Sequence, residues 1–374
     1  MGIILAENFN IAETTHANIR TALAAKNITP LAAPVMWFNS VIATQTENGV
    51  TRPYFRFQTN YYNGSGPAFD SIGLPLTNST NPFYLSFRIR FPQTTALSTL
   101  VQFSVRTQNI VGANNVGLVH FENTGSQINI YPGYGAATSA NGFIQLPFDT
   151  WVMVEVYRGA DGKVKVWVND LLLPGLSTYV STAPLAADPR VYLGPYRPNT
   201  YIQTMPTWDI SDVVLVDAAT TGLQNRVGSS GRVETVPYTA DVAANWTPPA
   251  GVTAAHNTLM TSWNAVPDTA KILTGNAVGQ RDTYQMGAVP KSRADNNILL
   301  AVGLERRASN GGAASHSYAS ELDLGAGNVE VDNVTLAAGA GYAYNPKFME
   351  KKPDGTNWSM ADVAAMKSGF VVKS

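Results

Sequence analysis

Aromatic side chains cluster in one loop-rich stretch of this 374-residue chain. The cluster consists of Tyr192, Tyr196, Tyr201 and Trp208, and a second, smaller group is formed by Tyr131 and Tyr134 between glycines. Because an aromatic ring combines an apolar face with a polar edge, such residues form platforms on which sugar rings stack. These four residues are therefore a candidate carbohydrate-binding site. The alternative, which the sequence alone favours, is that the rings close the ends of a β-sandwich or line a subunit interface.

Residues suited to metal or hydrolytic chemistry lack the spacing that such chemistry requires. The histidines show no His-x-His or His-Glu-x-x-His pattern and predict no zinc site. They are His16, His120, His256 and His316. A retaining glycosidase needs two carboxyl groups about 5 Å apart, as alternate strand positions can provide. The segment Glu321-Leu322-Asp323 has that spacing but no third acid beyond it, so we interpret it as two exposed charges. We predict no catalytic residues and no enzyme activity.

Oxygen-bearing side chains in predicted loops raise the question of calcium, which binds carboxylate and carbonyl oxygens. The residues concerned are Asp161, Asn169, Asp170, Asp188 and Asp209. Turn formation accounts for each of them without a metal. We therefore predict no metal site and no cofactor.

The overall composition excludes several classes of partner. Lys and Arg number 25 against 26 Asp and Glu, a net charge of −1, which argues against nucleic-acid and anionic-membrane binding. Cysteine is absent, which excludes disulfides and thiolate chemistry. Charged residues make up only 14% of the chain, against about 25% in typical soluble domains. Because low surface charge favours packing between proteins, we expect a homo-oligomer.

Alternation with a period of two dominates the chain and predicts a mainly β protein. In residues 83–91, all five odd positions are apolar, whereas Ser86, Arg88 and Arg90 point the other way. Between Trp151 and Leu173, two valine-rich runs flank a turn that contains Asp161-Gly162. Asp-Gly between two alternating runs is a strong signal for a β-hairpin.

A domain boundary and one helix are predicted outside these strands. Residues 217–233 hold few large apolar side chains, as is typical of a linker or a domain-edge loop. Within residues 12–26, Ile19 and Leu23 share one face of a predicted helix, which Asn27 could end.

A second helix is predicted near the end of the sequence. Ser359 is a favourable N-cap, and Asp362 occupies the capping-box position three residues later. We expect Gly369 to stop this helix. Residues 370–372 then predict a final strand.

Residues 83–217 resemble the concanavalin A-like lectin/glucanase sandwich, including its laminin-G-like branch. The likeness is carried by the strand 83–91, by Trp151 and the hairpin after it, and by Tyr192-Leu193-Gly194 with the strand 210–215. Asp170 stands where that family usually has glycine, which changes a turn. The resemblance implies a concanavalin A-like jelly-roll sandwich over residues 1–222, a linker over 223–232 and few short helices.

The last part of the sequence resembles a different family. Residues 354–370, which include Trp358 and Asp362, are similar to the closing segment of tailed-bacteriophage virion proteins. The order of residues 353–356 departs slightly from the family pattern. The likeness extends over roughly residues 232–374 and implies a second, β-sandwich-like domain of phage type over residues 233–374.

These resemblances imply a structural component of a tailed-phage virion. We expect a fibre, collar or other appendage subunit that acts by assembly and surface presentation. The alternatives are a carbohydrate-binding adhesin for the host surface and a capsid decoration or head-spike protein. The expected partners are other virion proteins and further copies of the chain, with a host-surface glycan under the adhesin alternative. Such a protein would be made in the host cytoplasm and would reside in the virion.

Overall fold

The computed structural model describes the chain in thirteen segments. They are residues 2–33, 40–58, 68–78, 82–93, 102–107, 117–123, 127–132, 144–173, 189–197, 207–217, 226–260, 271–290 and 299–374. The chain divides into two compact units. Unit 1 comprises Met1–Phe9, Glu13–Gln45 and Arg52–Val233, and unit 2 comprises Asn10–Ala12, Thr46–Thr51 and Glu234–Ser374.

The first part of the chain, up to residue 217, forms β-strands and one helix. In chain order these are β1 (Ile3–Glu7), α1 (His16–Ala25), β2 (Thr29–Ala33), β3 (Val41–Glu47), β4 (Val50–Phe57), β5 (Ala68–Pro75), β6 (Phe83–Arg90), β7 (Gln102–Arg106), β8 (Gly117–Asn123), β9 (Ile128–Pro132), β10 (Ile144–Leu146), β11 (Val152–Arg158), β12 (Val164–Val168), β13 (Leu171–Leu172), β14 (Arg190–Arg197) and β15 (Trp208–Asp217).

Two antiparallel sheets are built from these strands. One has eight strands in the order β13-β12-β11-β6-β15-β4-β3, with β1 pairing to β15. The other has seven strands in the order β10-β9-β8-β7-β14-β5-β2. The predicted hairpin is confirmed as β11 and β12, and Gly162 has a φ of 78° in its turn. A positive φ is the conformation for which glycine has no steric penalty.

An aromatic cluster forms the centre of unit 1. Phe103 of β7 contacts Phe57 and Phe87, which belong to the eight-stranded sheet, at ring-centroid distances of 5.8 and 6.4 Å. Trp208 lies 4.9 Å from Phe91 and 5.7 Å from Phe103. Tilted and edge-on ring contacts of this kind are the favoured geometries for aromatic pairs. The two sheets therefore share one core, and the mainly β, sandwich-type fold expected from the sequence is confirmed.

A bulge in β15 turns one acidic side chain out of the regular alternation. The pairing of β15 with β6 shifts between Ser211 and Val214, and Asp212 adopts a positive φ of 52°. The Asp212 carboxylate accepts hydrogen bonds from Arg52 at 2.9 and 3.1 Å. An ion pair of this kind offsets the unfavourable burial of the carboxylate.

The predicted helix in residues 12–26 is observed as α1. The Thr15 hydroxyl caps its N-terminus by accepting from the Asn18 N–H, and Ile19 and Leu23 are buried as expected. Asn27 follows the C-cap Lys26 with a positive φ of 60°, which ends the helix.

The remaining elements belong to the later part of the chain. They are β16 (Tyr238–Ala244), α2 (His256–Leu259), β17 (Arg281–Met286), β18 (Val302–Leu304), β19 (Arg307–Ala308), β20 (His316–Asp323), β21 (Asn328–Leu336), β22 (Ala343–Tyr344), β23 (Lys347–Met349), α3 (Met360–Ala365) and β24 (Lys367–Val372). A five-stranded antiparallel sheet has the order β16-β17-β24-β20-β21. The pairs β18-β23 and β19-β22 form two smaller sheets.

Residues 354–370 have a structural role in unit 2. Trp358 is buried, and its Nε1–H donates to the Met349 carbonyl at 2.9 Å. Ser359 and Asp362 form the predicted capping box at the start of α3. The expectation that Gly369 stops this helix is wrong, because α3 ends at Ala365 and Gly369 lies inside β24. There a Cβ would lie 2.1 Å from the Asp282 carbonyl oxygen, so close strand packing is the reason for this glycine.

None of the helices in the described segments has the length and apolar character needed to span a bilayer.

Candidate carbohydrate-binding site

Alternation along β7 separates a core face of the seven-stranded sheet from a polar face. Phe103 and Val105 are fully buried in the aromatic core of unit 1. Because successive strand residues point to opposite sides, Ser104 and Arg106 lie on the other face of the sheet.

Five residues form a row across adjacent strands on this face, which we call the polar row. Its members, from β9 to β5, are Tyr131, His120, Ser104, Gly194 and Ser71. The first four are joined by direct register: Tyr131 pairs with His120, His120 with Ser104, and Ser104 with Gly194. Gly194 then lies against Ser71, since a Cβ built on it would be 2.6 Å from the Ser71 Cα. The polar row therefore runs across five strands of the sheet.

The two rings at the β9 end of the polar row stack on each other. The centroids of His120 and Tyr131 are 5.0 Å apart, and the ring planes are inclined by 23°. The Asn129 amide donates to the Tyr131 hydroxyl at 2.9 Å and accepts from the Gln127 amide at 3.2 Å. Burial raises the pKa of Tyr131, and the Asn129 hydrogen bond opposes part of that shift. The phenol stays neutral near pH 7 and can therefore donate a hydrogen bond as well as accept one.

The two serines of the polar row have buried hydroxyl groups. Ser71 and Ser104 are fully buried, and neither hydroxyl has a hydrogen-bond partner among the described residues. A buried hydroxyl without a partner costs about 1–3 kcal/mol. An acceptor or donor supplied by a ligand or an ordered water would remove this penalty.

Tyr192 lies beside the polar row, where its ring has space because the residue that pairs with it on β5 is a glycine. It pairs with Gly73 of β5, where a Cβ would lie 2.8 Å from the Tyr192 ring carbon Cε1. The ring therefore covers the backbone of β5 at Gly73. Arg190 supports this position by donating to the Gly73 and Asn27 carbonyl oxygens at 3.3 and 2.8 Å.

The four aromatic residues predicted to bind sugar have different locations. Tyr192 is 8% exposed and adjoins the polar row. Tyr196 also belongs to β14, where it pairs with Gln102, whereas Tyr201 lies outside the described residues. Trp208 is 0% exposed. It faces the core because it alternates with Asp209 at the start of β15, so its ring has no free surface on which a sugar could stack.

The acidic residues considered for hydrolysis are bound to cations. Glu321 is buried, which corrects the expectation that it is exposed, and it pairs with Arg281 at 2.5 Å. Asp323 pairs with Lys367 at 3.0 Å, and this hydrogen bond lowers the pKa of Asp323. A second Glu-x-Asp segment at 330–332 lies opposite, with Glu330 bound to Lys373 and Asp332 to Arg306. Each carboxylate of the two segments thus has its own cation.

Three histidines have structural surroundings. His16 Nδ1 accepts from the Ser40 N–H at 2.9 Å, and burial lowers the pKa of His16. His256 is buried, and its Nδ1 lies 2.6 Å from the Asp282 carboxylate. His316 is exposed and its Nδ1 lies 2.9 Å from the Ser374 carbonyl oxygen. His120 is the histidine that the structure places in the candidate site.

The residues considered for calcium do not come together in the described segments. Asp161 pairs with the neighbouring Lys163, and Asn169 and Asp170 form the positive-φ turn between β12 and β13. Asp209 was expected in a loop but lies in β15, and Asp188 is outside the described residues. Within the described segments, no group of three or more His, Asp or Glu residues could hold a metal ion.

Comparisons with known proteins give distant likenesses. No protein-family model and no curated protein matches the chain. Among solved structures, the chain is similar to the cellulose induced protein Cip1, with 14% identity, a TM-score of 0.35, and coverage of 57% of this chain and 97% of that one. A GH131 β-glucanase catalytic domain from Podospora anserina gives 13% identity, a TM-score of 0.35, and coverage of 51% and 81%.

A third solved structure, a protein of unknown function from Shewanella oneidensis MR-1, is 12% identical with a TM-score of 0.37, over 52% of this chain and 81% of that one. Because these TM-scores are below 0.5, the assignment of a two-sheet sandwich rests on the sheet topology of the chain itself.

The sequence singled out Tyr131 and the neighbouring Tyr192 as aromatic residues, but it did not indicate the polar row as a whole. Ser71, Ser104 and His120 lie on three different strands that are separated from one another in the sequence. Strand order brings them together, and strand order is not encoded in any local pattern.

Proposed function

We propose that this chain binds carbohydrate on the seven-stranded sheet, with the polar row and Tyr192 as the contact surface. The buried hydroxyls of Ser71 and Ser104 are the observation that carries the proposal, since both lack a partner among the described residues. Sugars offer hydroxyl groups that donate and accept, and therefore match serine, tyrosine and histidine side chains.

The neighbouring rings supply the apolar part of such a site. Tyr131, His120 and Tyr192 lie along the same face and are 7%, 2% and 8% exposed, so only a small part of each ring would contact the C–H surface of a sugar. The proposal is for binding without cleavage. It follows the carbohydrate-binding alternative of the sequence analysis, with the site moved from Trp208 to the polar row.

A glycan array probed with the full chain, followed by calorimetry on the best ligand, tests this proposal. We expect Ser71→Ala and Ser104→Ala each to weaken binding about tenfold, which corresponds to about 1.4 kcal/mol. The matched control is Ser86→Ala, because Ser86 is an equally buried serine on the eight-stranded sheet whose hydroxyl contacts the Met153 sulfur.

Three outcomes contradict the proposal. One is the absence of any glycan ligand at high multivalency, and another is an equal loss of affinity in Ser86→Ala. The third is release of reducing sugar from the bound glycan, which would make the protein an enzyme.

A role in a tailed-phage particle is our second proposal, supported by the likeness of residues 354–370 to closing segments of virion proteins. Here the chain would be a fibre, collar or other appendage subunit, assembled in the host cytoplasm with other virion proteins and with copies of itself. Alternatively, it would decorate the capsid. Mass spectrometry of purified particles and light scattering of the isolated protein test this role. A protein that stays monomeric and is absent from particles would overturn it.

A further inference from the structure

The eight-stranded sheet has a polar face of its own, on which two arginines share one carboxylate. Arg56 of β4, Asp209 of β15 and Arg90 of β6 are direct neighbours in register across three strands. Arg56 donates to Asp209 through Nε at 2.7 Å and Nη2 at 3.0 Å. Arg90 donates through Nε at 3.0 Å and Nη2 at 2.7 Å. We call Arg56 and Arg90 the arginine pair.

The charge in this cluster is not balanced by the residues that form it. Asp209 is 0% exposed and contributes one negative charge, against two positive charges from the arginine pair. The hydrogen bonds that Arg56 donates to Asp209 raise the pKa of Arg56, so the guanidinium stays charged. The side chains of Arg56 and Arg90 are 28% and 20% exposed, which leaves a net positive charge within reach of solvent. A partly buried excess charge favours binding of a counter-ion.

Each guanidinium also keeps hydrogen-bond donors for a ligand. Arg56 and Arg90 both use Nε and Nη2, including an Nη2 bond of 3.1 Å from each to the Tyr54 hydroxyl. The Nη1 groups of both have no partner among the described residues. A guanidinium has five N–H groups in a planar fork that matches a carboxylate or another oxyanion.

Aromatic rings border the arginine pair. The Arg90 guanidinium carbon lies 5.0 Å from the Trp151 ring centroid and 5.1 Å from that of Tyr54. The Tyr54 and Trp151 rings are 5.6 Å apart, edge to face. Trp151 is held by a hydrogen bond from its indole N–H to the Gln45 side chain. Trp151 is partly exposed, so an apolar surface adjoins the unused donors.

The other charged groups on this face have their own partners. The Arg88 guanidinium carbon lies 5.0 Å from the Trp151 ring centroid, and Arg88 Nη1 donates to the Asp212 carboxylate at 3.4 Å. Glu155 accepts from Arg226 at 2.8 Å and from the Tyr84 hydroxyl. Among the described residues that bind the arginine pair, Asp209 is the single acidic side chain.

We propose that the arginine pair binds the carboxylate of an acidic sugar, with Trp151 contacting the sugar ring. The proposal concerns the eight-stranded sheet and does not depend on the polar row. The sugar carboxylate neutralises the one positive charge that Asp209 does not balance, and it accepts hydrogen bonds from the unused Nη1 groups. A neutral sugar lacks this interaction and is expected to bind far more weakly.

Calorimetry and tryptophan fluorescence with glucuronate and glucose test the proposal. We expect the unmodified protein to prefer glucuronate by at least tenfold and to lose that preference as salt is raised. Arg56→Gln and Arg90→Gln should each reduce glucuronate affinity by at least tenfold. Arg90→Lys keeps the charge but loses the planar fork, so an intermediate loss is expected.

The matched control is Lys163→Gln, which removes one positive charge from an exposed site in the same unit. Its affinity for glucuronate should equal that of the unmodified protein. A folded Arg56→Gln/Arg90→Gln variant with unchanged affinity would overturn the proposal, as would equal binding of glucose and glucuronate.

A measurement on the unmodified protein covers the case in which the variants do not fold. Phenylglyoxal modifies accessible arginines, and peptide mass spectrometry reports the extent at Arg56 and Arg90. Glucuronate should protect both residues, whereas glucose should not. If inorganic sulfate protects equally well at the same concentration, the site binds a free oxyanion and the assignment to an acidic sugar is wrong.

Discussion

The two sheets of unit 1 share one aromatic core but differ in the chemistry of their opposite faces. On the eight-stranded sheet, the carboxylates of Asp209 and Asp212 are each held by arginines from neighbouring strands. On the seven-stranded sheet, the polar row contains no carboxylate, and the hydroxyls of Ser71 and Ser104 lack partners among the described residues. The arginines and carboxylates of the charged face satisfy one another, whereas the polar row, which contains neither a carboxylate nor a guanidinium and is here called the neutral face, keeps two hydroxyls without partners among the described residues.

This difference predicts which substitutions change the stability of the protein and which change ligand binding. Ion pairs between strands fix the charged side chains and leave only particular donors, such as the Nη1 groups of the arginine pair, for a ligand. Removing one partner from such a pair leaves the other as a buried charge without a partner, which is destabilising. On the neutral face, removing a hydroxyl that has no partner leaves nothing unpaired. Mutations on the two faces should consequently affect different observables.

The largest expected effect is that of Asp209→Ala. It leaves the two cations of the arginine pair without their shared carboxylate, and we expect the free energy of unfolding to fall by about 3 kcal/mol. Urea unfolding followed by tryptophan fluorescence measures this change. Asp161→Ala is the control, because Asp161 forms an exposed pair with Lys163 and should cause no measurable loss. Equal stability of the two variants would show that the arginine pair does not stabilise the sheet.

A pH titration tests Asp70, the buried carboxylate of β5. Asp70 has one arginine partner, Arg20 at 3.3 Å, and accepts from the Ser40 hydroxyl at 3.2 Å. Burial outweighs these interactions and raises the pKa of Asp70 from 3.8 to about 6. The folded state therefore binds more protons than the unfolded state between pH 4 and 6, and the free energy of unfolding falls as pH rises through this window.

The rise in the pKa of Asp70 from 3.8 to about 6 changes the free energy of unfolding by at most about 3 kcal/mol. Urea unfolding at pH 4.5 and 7.5 should show the contribution in the unmodified protein and its loss in Asp70→Asn. Identical pH profiles for the two proteins would contradict the assignment of the shift to Asp70.

Gly73→Ala tests how the neutral face positions its aromatic ring. The new Cβ would lie 2.8 Å from the Tyr192 ring, so the ring must move, and we expect a loss of about 1–2 kcal/mol in unfolding free energy together with weaker glycan binding. Gly341→Ala is the control, because a Cβ there meets no atom within 4 Å. If the two variants bind glycan equally well, the placement of Tyr192 over Gly73 has no part in recognition.

The smallest effect on stability is expected for Ser104→Ala. Its hydroxyl has no partner among the described residues, so the free energy of unfolding should stay within about 0.5 kcal/mol or increase slightly. Ser86→Ala, which removes the contact with the Met153 sulfur, should instead be slightly destabilising. A clear destabilisation by Ser104→Ala would mean that the polar row is structural, and would weaken the case for a ligand there.

Local patterns predicted individual elements well. The hairpin β11-β12, the capping box of α3 and the helix α1 are confirmed, because their signals lie within a few residues of each other. Gly369 was read as a helix stop although it sits inside a strand, since local sequence does not show the neighbouring backbone that excludes a Cβ. Glu321 was read as exposed because its partner Arg281 is 40 residues away.

The candidate sites were predicted less well, for a related reason. Tyr192 was identified from its residue type, and it does lie on the polar face of its sheet. Trp208 was selected on the same basis, but alternation along β15 turns its ring into the core. Residue type indicates which side chains could stack on a sugar, and only the direction of each side chain decides which of them are available.

The sequence by itself determined a mainly β chain, because alternation, turns and caps act over neighbouring residues. Tertiary structure alone decided which strands became neighbours, and so brought Arg56, Asp209 and Arg90 into one register row and His120 beside Ser104. The physical reason is that strand pairing depends on the packing of the whole core, which joins segments more than a hundred residues apart.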